Sequence, residues 1–133
     1  MSYLYYFANT SLVVRLLTYL HKRVTLPLGA VTVIYLVDRW VVRVQLEKPL
    51  PTEQTLDFES FLKENGCTYP ASEPAAVQIF TALQALDGGL SIAKVLEQYH
   101  VVVVSHGAPQ PTSVENFRTS FVKELGYCPP SLV

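Results

Sequence analysis

Residues 31–46 read Val-Thr-Val-Ile-Tyr-Leu-Val-Asp-Arg-Trp-Val-Val-Arg-Val-Gln-Leu, and the way this stretch folds decides the class of the whole chain. It is dense in β-branched side chains: Val31, Thr32, Val33, Ile34, Val37, Val41, Val42 and Val44. Such residues lose rotamer freedom in a helix and pack well on a pleated surface, so two strands are expected, about 31 to 37 and 40 to 46. In the second, Trp40, Val42, Val44 and Leu46 alternate with Val41, Arg43 and Gln45, which marks one face as the wetter. The turn at Asp38-Arg39 lacks the glycine that favoured two-residue hairpin turns use. A rival reading makes 27 to 38 a helix, with Pro27 in its first turn, where the fixed φ of proline fits.

Upstream, Tyr3 to Ala8 is aromatic and apolar and reads as a strand that stops at Asn9-Thr10-Ser11. Ser11 is placed to cap a helix whose apolar stripe is Leu12, Val13, Leu16, Leu17 and Leu20, with Arg15 and Lys22 off the stripe. Downstream, Pro49 and Pro51 bracket a linker. Phe58, Phe61 and Leu62 then mark a short helix ended by Asn65-Gly66. Ser72 is expected to cap a helix carrying Val77, Phe80, Leu83 and Leu86 as far as Gly88-Gly89, and Ser91 caps another carrying Ile92, Val95, Leu96 and Tyr99. Val101-Val102-Val103-Val104 is an uninterrupted apolar run, as expected of an interior strand buried on both faces of a parallel sheet. The last helix opens at a capping box, Thr112-Ser113-Val114-Glu115, and ends at Gly126 in a left-handed stop. The order βαββαααβα describes a single small α/β domain over residues 1–133, a mixed sheet of about four strands with flanking helices.

With 133 residues, half of them hydrophobic and only 16 % charged, the chain is too apolar for intrinsic disorder and is expected to fill a core. A formal net charge of −1 gives no global field for nucleic acid, so binding to a DNA duplex is not expected. The distribution is uneven. Residues 1–48 hold six basic and two acidic side chains, a balance of +4, whereas residues 49–133 hold four basic and nine acidic ones, a balance of −5. The halves are expected to face each other within one fold or across a dimer; the sharper alternative is a basic rim around an anionic ligand. Cys67 and Cys128 make no disulfide framework. No basic n-region of a secretory signal is visible, and polar residues interrupt both long apolar stretches, so no membrane span and a cytoplasmic location are expected.

If the strands at 3 to 8 and 101 to 104 lie side by side and parallel, the Asn9-Thr10-Ser11 and Ser105-His106-Gly107 turns converge at their carboxyl ends. Open α/β sheets bind ligands there. The first turn leads into a helix amino end, which attracts anions. Thr10, Ser11 and Ser105 offer hydroxyls, and Arg15 or Arg43 offers charge. Gly107 would let a ligand approach the backbone, and His106 is the candidate catalytic acid or base near neutral pH. This arrangement resembles, at the level of fold and without a diagnostic motif, the small Rossmann-like domains that recognise cyclic oligonucleotides in bacterial defence, some of which act as ring nucleases. Ser105-His106-Gly107 also resembles the strand-end His-Gly turn of chelatases, whose large following domain has no counterpart here. On the rival helical reading, Ser11 to Trp40, with its Asp38-Arg39 pair, is similar to the start of a fungal cyclin box.

No dinucleotide fingerprint, phosphate-binding loop, nucleophile elbow or His-Glu-x-x-His is present, the cysteines and histidines lack metal-ligand spacing, and no cofactor is expected. Two functions remain. The first is a non-enzymatic interaction or regulatory module that self-associates. The second is a Rossmann-like nucleotide-binding domain that binds a (cyclic oligo)nucleotide phosphodiester at the two polar turns, with ring-nuclease-like cleavage of it as a further option.

Overall fold

In the computed structural model, which describes Met1–Val133, residues 31–46 lie in two adjacent strands of one sheet. The elements run β1 (Ser2–Phe7), α1 (Thr10–Lys22), β2 (Leu28–Leu36), β3 (Arg39–Leu46), α2 (Thr52–Asn65), β4 (Cys67–Thr68), α3 (Ala76–Asp87), α4 (Ile92–Tyr99), β5 (Val102–Gly107) and α5 (Pro111–Leu125), and close with a 3₁₀ turn at Pro130–Leu132. The class is α/β, as the β-branched run requires. The sheet has five strands in the order β4-β1-β3-β2-β5, the fifth being the two-residue β4. Every neighbouring pair is antiparallel. The rival helix at 27 to 38 is absent, and with it the basis of the cyclin-box likeness.

The β2–β3 hairpin turns on Val37-Asp38, since Leu36 pairs with Arg39. Neither turn residue takes a positive φ, so this is not a glycine-type hairpin turn. Tertiary contacts hold it instead: the Tyr35 hydroxyl donates to the Val37 carbonyl at 3.3 Å and Ser131 Oγ donates to the same oxygen at 3.0 Å.

Each face of the sheet has its own core. Tyr5, Phe7, Val33, Tyr35, Trp40, Val42 and Val44 face α1, α2 and α5, in a cluster of 17 buried residues. Ile34, Val41 and Val103 face α3 and α4, in a cluster of 11. The expectation of a wetter face on β3 is therefore corrected. Val41 is fully buried and Arg43 only 8 % exposed, because α3 covers that side.

Val101 to Val104 also need correcting. The strand β5 lies at the edge of the sheet, pairs only with β2, and runs antiparallel to it. Its valines lack a polar face because Val103 packs into the α3–α4 core while Val102 and Val104 pack against the α1–α2–α5 core. A register shift between Val33 and Ile34 leaves Val104 as the extra residue of a β-bulge.

Several helix ends differ from the sequence reading. Asn9, not Ser11, caps α1, accepting from the Leu12 N–H at 3.1 Å. The helix α2 spans 14 residues and ends at an extended Gly66 rather than a left-handed one. The helix α3 starts at Ala76, past Ser72, with no side-chain cap. The expected capping box at Thr112 lies inside α5, which begins at Pro111, where the missing N–H of proline costs nothing. Ser91 does cap α4, and Gly126 does take the left-handed conformation after α5.

Candidate functional site

The row of residues across the sheet fixes where the two polar turns lie. Phe7, at the end of β1, is in register with Trp40, then Tyr35, then Val102 at the start of β5. His106, at the other end of β5, is in register with Thr32, Arg43 and Leu4. Strands β1 and β5 are thus separated by β3 and β2 and point in opposite directions. The expected parallel adjacency of these strands does not occur, and their carboxyl ends lie at opposite ends of the sheet. The structure brings Arg43 to His106 and leaves Asn9, Thr10 and Ser11 elsewhere.

Around His106 the row is polar. The Thr32 hydroxyl and His106 Nδ1 lie 2.7 Å apart, and Arg43 donates to Thr32 Oγ1 at 3.4 Å. Arg43 also forms a two-pronged pair with Asp87 at the end of α3, at 3.0 and 2.7 Å. Its fork is therefore already matched by a carboxylate inside the chain, while its Nε is buried without a partner. Ser105 is in register with Val33 and so faces the other side of the sheet. Gly107 adopts φ +127°, and open space surrounds the position a Cβ would take, so conformation rather than close approach demands glycine there.

The start of α1 forms the second place of interest. Thr10, Ser11 and Val14 line an open cleft of about 390 Å³ together with Glu115 and Arg118 of α5 and with Val133. Ser11 Oγ donates to the Val133 backbone oxygen at 2.8 Å, and Arg118 Nε donates to the Leu132 carbonyl at 2.6 Å. Thr10 is 3 % exposed and its hydroxyl has no partner. No acidic residue occupies the first turn of the helix. Arg15 is directed away from this cleft, donating to Asn65 Oδ1 at the end of α2 at 3.1 Å.

Sequence reasoning missed Thr32, Asp87, Glu115 and Arg118. Thr32 sits among valines as one more β-branched residue, and only strand register shows that it stands between Arg43 and His106. Arg118 carries no motif; its approach to Ser11 depends on how α5 packs beside α1. Both cysteines are free and exposed. No helix is long and apolar enough to cross a membrane.

Fold and sites define a class, a small α/β domain whose antiparallel five-stranded sheet separates two helical layers. No family model, no curated protein and no solved structure matches this chain.

Proposed function

We propose that this domain is a non-enzymatic interaction module that associates with a second copy of itself along the free edge of β5. The observation that carries the reading is the state of that edge. Outside its ladder with β2, β5 makes no backbone hydrogen bond to the rest of the chain, so the groups on its outer side await a partner. The opposite edge, β4, is only two residues long and offers little to pair with.

Neighbouring apolar surface supports the same reading. The helix α4 packs against β5 and leaves Ile92 and Leu96 39 % and 47 % exposed. A twofold axis perpendicular to the sheet would pair two β5 strands antiparallel and set the two α4 helices side by side. Because the bulge at Val104 shortens the regular ladder, the association draws on these helix faces as well as on backbone hydrogen bonds. Sedimentation of the full chain at micromolar concentration in moderate salt should find a dimer, and Leu96→Glu should convert it to monomer without unfolding it. A wild-type chain that sediments strictly as monomer would contradict the proposal.

The alternative, a phosphodiester site shared by the two polar turns, is not favoured by any observation, since the turns stand at opposite ends of the sheet.

A further inference from the structure

The segment Pro130–Val133 lies in a slot that holds it as a docking site holds a peptide. Leu132 is buried in the larger core and Ser131 is buried beside it. Each backbone oxygen from Ser131 to Val133 accepts from a side chain of a different element: Ser131 from Trp40 Nε1 at 2.8 Å, Leu132 from Arg118 Nε at 2.6 Å and Val133 from Ser11 Oγ at 2.8 Å. The Ser131 hydroxyl completes the set, donating to the Val37 carbonyl at 3.0 Å and lying 3.2 Å from the Tyr35 hydroxyl. Main-chain hydrogen bonds that give affinity and a buried side chain that gives specificity are how proteins take up short peptides.

The stretch leading to the slot is free by contrast. Residues 123–128 are exposed, and no backbone hydrogen bond ties Tyr127 or Cys128 to the rest of the chain. Gly126, at φ +79°, is a hinge where α5 ends. Pro129 is extended, at φ −64° and ψ 157°, and Pro130 opens the 3₁₀ turn, so two fixed φ angles pre-order the segment for docking. Apolar side chains stand exposed around it. Val37, whose carbonyl Ser131 holds, is 86 % exposed, and Leu125 and Tyr127 are exposed on either side of the hinge.

From these we infer that the slot exchanges its occupant, taking Pro130–Val133 from a second copy of the chain in place of its own. An element exchanged between identical copies makes the same contacts in both, and the exchange closes reciprocally because each copy carries slot and segment. The tether Gly126–Pro129 spans at most about 13 Å, so the α5 ends of the two copies must lie close together. That brings the exposed Val37, Leu125 and Tyr127 of both copies to one place, where they can cover each other. So short a tether also keeps the chain's own segment at an effective concentration in the millimolar range. Exchange therefore belongs to crowded copies rather than to micromolar protein, and it does not depend on pairing at β5.

Trp40 is the only tryptophan and donates to Ser131, so its indole N–H reports on the slot. Full-length isotope-enriched chain is mixed with unenriched chain that carries a nitroxide on the exposed Cys128. Both carry Cys67→Ser and Leu96→Glu, so that the β5 contact plays no part. Broadening of the Trp40 indole signal by the second copy's nitroxide is expected at millimolar protein and should fade on dilution. Inserting about twenty Gly-Ser residues after Tyr127 of the enriched chain, which leaves the slot untouched, should raise the exchanged fraction about tenfold by diluting the chain's own segment. Excess peptide Pro-Pro-Ser-Leu-Val should relieve the broadening, whereas Pro-Pro-Ser-Ala-Val should not. Broadening that is absent at millimolar protein, or that Pro-Pro-Ser-Leu-Val fails to relieve, would overturn the inference.

Discussion

Arg43 is a charged residue in the middle of a β-strand, and its retention there depends on Asp87. Removing a guanidinium from water is costly unless a carboxylate and further hydrogen bonds replace the lost hydration. Asp87 supplies the first through both oxygens and Thr32 part of the second, with Nε left over. Asp87→Ala should therefore destabilise by about 1 to 3 kcal/mol, less than for a fully buried pair because the Asp87 side chain is still 43 % exposed. Adding Arg43→Met should recover most of that loss, since the double variant no longer buries a lone charge; denaturant unfolding of the three proteins checks both. Tyr69 presents a simpler case. Its hydroxyl is buried without a partner, and burial first, then the Glu73 carboxylate, raises its pKa above the ordinary 10.0. The folded state thus holds the proton more tightly than the unfolded one. Stability from this source is complete below the unfolded value and is lost as pH rises through the higher folded value. Tyr69→Phe should stabilise by about 1 kcal/mol at neutral pH and flatten the alkaline loss of stability, as thermal melts at neutral pH and above pH 10 would show.

Among the elements, the β2–β3 strands are legible because β-branched residues favour a strand from their own local sequence, although residues 27 to 38 also admit a helix until the sheet pairing is seen. The apolar stripe of α1 and the left-handed Gly126 were legible for the same reason: each depends on residues within one or two turns of itself. Edge or interior position was not. Four valines look alike in an interior strand and in an edge strand roofed by α4 and α5, so Val101 to Val104 declare two covered faces but not how many neighbouring strands. The same limit explains the candidate site. Both polar turns were found, but their meeting depended on the direction and order of β1 and β5, which no local pattern encodes. At Gly66 the sequence shows where α2 stops but not why the stop is glycine. It ends α2 at φ −155°, a conformation open to any residue. What requires glycine is contact: a Cβ there would lie 2.6 Å from the Tyr6 carbonyl oxygen and 2.7 Å from the Phe7 ring. Gly66→Ala should therefore cost about 1 to 3 kcal/mol in denaturant unfolding, because β1 is held between β3 and β4 and cannot retreat.

At the scale of the whole molecule, the opposed charges of the two halves are used inside the chain. Arg39 meets Glu73 at 3.2 Å and Arg43 meets Asp87 at 2.7 Å, each pair joining the basic first part to the acidic second. Charge asymmetry therefore gives no separate reason for a dimer, and the case for self-association rests on the unpaired outer side of β5 and the apolar residues of α4 beside it. Amide hydrogen exchange of β5, measured on the full chain over a range of concentrations, addresses that claim most directly. In an isolated copy the N–H groups on the outer side of Val102–Gly107 face no acceptor, whereas in an edge-paired dimer they enter a second ladder. Protection of these amides that rises with protein concentration, in step with the sedimenting mass, is the predicted result. Exchange at β5 that is independent of concentration, in a protein that does associate, would place the interface elsewhere and contradict the account.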